Sequence, residues 1–206
     1  MNIPVISVNT GKEKFPTCDG LSGTASKNAD VIKEKISVDV KIFAKVGDNI
    51  EVVYDRKARM NYRGSSSLNF VKKSYAFCTG KEKTKNDKGA VDTGKENLFG
   101  LSNGVKDKDW VLYAAAADPS IMRNRLMLDT FRDMTGGWSV GSKYVELVVN
   151  GEYKGVYVLM DKITANMGDV EVEKDGRVEV EWKLDKQGNT TQEGFIVKFD
   201  KTDIVD

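Results

Sequence analysis

The chain has 206 residues, 40% hydrophobic and 31% charged, a balance that allows one ordinary domain with a packed core. Its 32 Lys and Arg stand against 31 Asp and Glu, so the formal net charge of +1 provides no global field for nucleic acid or an anionic membrane surface. The absence of histidine excludes a Ser-His-Asp or Cys-His catalytic arrangement and a His-based zinc site. Two cysteines, Cys18 and Cys78, are too few for a disulfide framework, and Cys78 lies in an apolar run where a buried free thiol is expected.

The opening "MNIPVISVNTGKEKF" lacks a basic region followed by an apolar one, so no signal peptide is expected there. No apolar run approaches the roughly 20 residues that cross a bilayer. Gly and polar residues cluster at 17–30 and 79–97, which read as solvated loops. Between them, "ISVDVKIFAKV" alternates apolar and polar residues from Ile36 to Ile42, "VGDNI" reads as a turn, and "IEVVY" as the returning strand.

Next comes "YRGSSSLNFVKKSYAF". Gly64 permits a sharp turn and close backbone approach, and Ser65, Ser66 and Ser67 bring hydroxyls and N–H groups that can surround an anion. Arg63 and one of Lys72 or Lys73 could supply charge, because neighbours in a strand face opposite ways; the reading here selects Lys73. Pattern alone favours a polar β-turn with exposed lysines over a phosphate site, since short Gly/Ser matches recur by chance and no Walker sequence is present.

In "ADPSIMRNRLMLDTFRDMTGG", Asp118 predicts an N-cap, Pro119 the first helical position, and Gly136-Gly137 the stop. Met127, Phe131 and Met134, widened by Ile121 and Leu128, form a stripe expected to pack on the sheet. Arg123 near the helix start opposes the macrodipole and needs a compensating acid, for which Asp118 is the local candidate. The run "KYVELVVNGEYKGVYVLM" predicts a hairpin turning at Asn150-Gly151. Within it Glu146, if buried, requires a cationic partner such as Lys73 or Arg123. A further hairpin is expected at Asp175-Gly176, and "GFIVKF" as a last strand.

"RGSSSLNFVKKSYAF", "NLFGL", "KDWVLYAAAADPSIMRNRLMLD", "YVELVVNGEYKGVYVLMDKI" and "GFIVKFDK" together resemble, in order and spacing, the blocks of the spore-coat protein H (CotH) kinase family. The resemblance implies an α+β, atypical protein-kinase-like fold with a predominantly antiparallel sheet and one principal helix. It implies ATP with Mg or Mn as cofactors and phosphate transfer to Ser/Thr of a coat or surface protein, with localisation at a spore coat or cell surface. By analogy, Arg63, Gly64, Ser65, Ser66, Ser67 and Lys73 hold phosphates, Met160 and Asp161 form a hinge against adenine, and Arg123, Glu146 and Asp118 form supporting ion pairs.

This sequence departs from the family pattern at Ser65, usually Asn, at Val71, usually Pro, and at Asp161, usually Glu, which weakens a hinge-acid role. The acids after the hinge, Asp169, Asp175, Asp185 and Asp200, show no catalytic-loop pattern. The expectation is that 1–206 is one domain truncated at its C-terminus, the nucleotide-binding front part of a larger one, with catalytic and metal-holding aspartates missing. A non-catalytic coat or surface scaffold is the alternative; a carbohydrate-binding module ranks below it, because Trp110, Trp138 and Trp182 are scattered.

Overall fold

The computed structural model describes residues 3–16, 34–64, 66–79, 94–101, 106–135, 139–162, 182–184 and 190–192. Two units divide the chain, Met1–Lys162 and Ile163–Asp206. In the first, strands β1 (Val5–Asn9), β2 (Ile36–Val46), β3 (Asn49–Arg63), β4 (Ser74–Cys78) and β5 (Asp109–Tyr113) precede helix α1 (Arg123–Thr135), and β6 (Ser142–Val149) and β7 (Glu152–Asp161) follow it. In the second, β8 (Trp182–Leu184) pairs antiparallel with β9 (Thr190–Gln192). The expected hairpin at Asp175-Gly176 and the strand "GFIVKF" lie outside the described residues.

Alternation drives the first unit. Along β2, Ile36, Val38, Val40 and Ile42 are buried while Ser37, Asp39 and Lys41 face water, as a period of two requires. The same parity puts Ile6 and Val8, Met60, Phe77, Trp110 and Leu112, Val145 and Leu147, and Tyr157 and Leu159 into one core. The turn at Asn150-Gly151 has φ of 51° and 82°, the left-handed pair expected of a type I′ hairpin.

Strand order is β1-β2-β3-β4-β5-β7-β6, and the sheet closes into a barrel because β1 also pairs in parallel with β6, Val5 opposite Glu146 through Val8 opposite Val149. This corrects the expected kinase-like α+β fold with a predominantly antiparallel sheet and one principal helix: among its described residues the first unit is mostly β, with seven strands closed into a barrel and helix α1. The strands either side of the seam are over a hundred residues apart in sequence, and closure removes both sheet edges at once.

The helix differs from expectation in two ways. It begins at Arg123, and Asp118 and Pro119 belong to a preceding turn. Ile121, at φ 56°, breaks the helical path between Pro119 and Arg123. Its stripe does not pack on the sheet: Met127 is 68% and Met134 80% exposed, and Phe131 is about half exposed. Tyr144, on the outward side of β6, holds the helix instead. Its hydroxyl donates to the Ile121 carbonyl (3.1 Å), and the Arg125 guanidinium lies over its ring at 4.5 Å. Cys78 is buried, as its apolar run predicts, and its Sγ accepts from the Arg59 guanidinium (3.6 Å). Among the described residues no helix is long and apolar enough to cross a membrane.

Candidate functional site

The β3–β4 connection carries the Gly/Ser/Lys stretch. β3 ends at Arg63, opposite Ser74, so residues 64–73 span one barrel end. Arg63 and Gly64 are exposed, Gly64 has φ 127°, and residues Ser66–Asn69 form a turn of 3-10 helix. Ser65 lies outside the described residues, and of the Ser66 side chain nothing is described.

Lys72 and Lys73 both precede the strand, and they diverge. Lys73 turns back on its own loop and donates to the Leu68 carbonyl. Lys72 crosses to β7, where its ammonium donates to the Val156 carbonyl (2.5 Å) and lies 4.5 Å from the centre of the Tyr157 ring. Partial burial lowers the Lys72 pKa from its ordinary value. The sequence reading selected Lys73, and both lysines are half-buried. Parity along a strand could not decide between them, because β4 begins only at Ser74.

A groove of about 440 Å³ runs beside Lys72. It is lined by Phe70, Val71 and Lys72, by residues 114–116, and by Asp118, Pro119 and Ile121. The structure thus brings together the loop of the first motif and the segment before the helix. Two non-glycine residues in this second segment adopt left-handed backbone, Ala115 (φ 49°) and Ile121 (φ 56°). For a β-branched residue that conformation is strained, and here it is held by the Ile121 N–H bond to the Asp118 carbonyl (2.9 Å) and by Tyr144.

Asp118 is committed locally. One carboxylate oxygen accepts from the Ser120 hydroxyl (2.6 Å) and N–H (3.1 Å), the other from the Arg123 N–H (3.0 Å). These bonds, the Ser120 hydroxyl first, hold its pKa below the usual carboxylate range. Arg123 lies 3.7 Å from the same carboxylate, so the expected pairing of Arg123 with Asp118 is present, with Arg123 exposed and Asp118 buried.

Other expected site residues lie apart. Glu146 faces away from the core, between buried Val145 and Leu147, so its expected need for Lys73 or Arg123 does not arise; it accepts from the Tyr153 hydroxyl (3.3 Å). Met160 and Asp161 are at the far end of β7, with Asp161 opposite Trp110, five residues beyond Val156 and so about 17 Å from it along the strand. There β7 is paired on both sides, with the Asp161 N–H bonded to the Gly141 carbonyl (3.3 Å).

The family model described as CotH kinase protein matches residues 60–203, well over half of the chain. The chain belongs to the CotH kinase family. No curated protein matches it. The matched span includes the groove and both lysines of this CotH kinase domain. Toward a triphosphate, the residues lining the groove include one cation, Lys72, whose ammonium bonds to Val156, and one acid, Asp118. Toward a divalent metal they offer that single carboxylate. Among the described residues no group of three or more Cys, Asp or Glu side chains could hold one, and both Asp118 oxygens are taken.

Proposed function

We propose that this CotH kinase domain binds the phosphates of ATP in the groove beside Lys72, and that the protein transfers the γ-phosphate to hydroxyl side chains of a coat or surface protein. The Lys72 geometry carries this reading. An ammonium has three donors; Val156 takes one, the Tyr157 ring covers another face, and the remainder is available to a phosphate oxygen. The strained Ala115 and Ile121 on the facing segment support it, because backbone strain of this kind collects where ligands are clamped. Magnesium or manganese would arrive with the nucleotide.

Calorimetric titration with ATP, with and without magnesium or manganese, tests the proposal. Binding is expected in the parent protein, is lost in Lys72→Ala, and is retained in Lys73→Ala. Equal binding by the parent and Lys72→Ala would remove the groove from the site. Absence of binding in the parent would favour a scaffold that retains the family's sequence without its chemistry.

A further inference from the structure

β6 and β7 pair with a register shift. Leu147 is opposite Gly155 and Val148 opposite Tyr153, so Lys154 is the extra residue of a bulge at the start of β7. Gly155 in this bulge has φ 94°, and a Cβ there would lie 3.8 Å from both Cε and Nζ of Lys72. The next residue supplies the carbonyl that accepts from the Lys72 ammonium, and the one after supplies the ring beneath it. The Tyr157 hydroxyl donates to the backbone carbonyl of Lys73 (3.0 Å), which fixes the loop from which Lys72 extends. Three consecutive residues of one strand thus hold the Lys72 ammonium by bare backbone, a carbonyl and an aromatic face.

We propose that this bulge is a cradle that presents the Lys72 ammonium to an anionic ligand in the groove, with Tyr157 as its positioning residue. The ligand half of the proposal rests on the phosphate reading above; the orientation of Lys72 does not. A bulge suits the task because it re-aims backbone and side chains locally while the rest of the strand stays in the barrel. The ring favours the charged amine through its quadrupole and has no competing hydrogen bond for the ammonium's remaining donor.

Two readouts separate the parts. In protein carrying carbon-13 lysine, the Lys72 ε-methylene, next to an ammonium 4.5 Å from the ring centre, should show proton resonances shifted upfield, an assignment checked by their disappearance in Lys72→Arg. The shift should persist in Tyr157→Phe and vanish in Tyr157→Leu. ATP affinity should fall roughly 2- to 30-fold in Tyr157→Leu and change less in Tyr157→Phe. If the leucine variant does not fold, Tyr157→Met provides the same comparison. An unshifted lysine in the parent, or a shift retained without the ring, overturns the cradle. Loss of the shift with unchanged affinity overturns its role in ligand presentation. A shifted Lys72 in a parent that binds no ATP upholds the cradle and rejects only the phosphate reading.

Discussion

Asn150 and Thr10 exchange two hydrogen bonds across the barrel seam. The Thr10 N–H donates to Asn150 Oδ1 and the Asn150 side-chain amide donates to Thr10 Oγ1, each at 2.9 Å. A third bond runs from the Asn150 N–H to the Val8 carbonyl (2.8 Å). The residue that makes the β6–β7 turn therefore also fastens β1 in place. Asn150→Gly keeps the left-handed turn and removes both side-chain bonds, so it should cost about 1–3 kcal/mol in denaturant unfolding. A cost below a few tenths would show that the seam is held by its ladder alone.

Close approach makes Gly141 a second sensitive position. A Cβ there would lie 2.5 Å from the Leu101 carbonyl oxygen and 2.8 Å from Asp161 Oδ2. Backbone cannot move aside as a flexible side chain can, so Gly141→Ala should destabilise the barrel by about 1–3 kcal/mol or more. Thermal melts of the purified variant check this.

The exposed face of α1 leads to a contrast between two kinds of apolar substitution. Met127→Lys and Met134→Lys should change stability by no more than about 0.5 kcal/mol, because neither side chain is buried. Leu147→Ala, in the barrel core, should cost about 2–5 kcal/mol. A large loss on the helix would restore the packing role expected of the stripe.

Alkali should act through the aromatic cluster of Tyr62, Tyr75 and Tyr157. Burial, with the neighbouring Tyr62 next, pushes the Tyr157 phenol from 10.0 up to about 12. Burial pushes Tyr75 upward too, followed by charge effects from Tyr157, Tyr62 and Glu152. A raised folded-state pKa means stability that is full below pH 10 and lost as pH climbs from 10 through about 12. Phenolate absorbance followed with circular dichroism should show these two tyrosines ionising only as the fold opens. The Tyr75→Phe variant should lose part of that alkaline sensitivity.

Much of the barrel was legible in short windows. The alternation from Ile36 to Ile42, the Asn150-Gly151 turn and the buried Cys78 depend on neighbours a few residues away, where period and turn chemistry act. The start of α1 was misread because Asp118 does offer its carboxylate to helix-start N–H groups, but to Ser120 and Arg123 across an intervening turn. The apolar stripe was misread because helical spacing reports which residues share a face, and is silent on whether anything covers it.

The candidate site divides in the same way. Sequence alone determined the chemistry available: two adjacent lysines after a Gly/Ser turn, an acid before a helix, and membership of the CotH kinase family across residues 60–203. Only the tertiary structure decided that Lys72 reaches Val156 and Tyr157, that Met160 and Asp161 lie at the far end of β7, and that β1 meets β6 to close the barrel. The reason is distance along the chain: the Lys72 contact joins residues 84 apart and the Asn150–Thr10 clasp residues 140 apart. Local propensity carries no information about pairings of that length, which are selected by how a whole core packs.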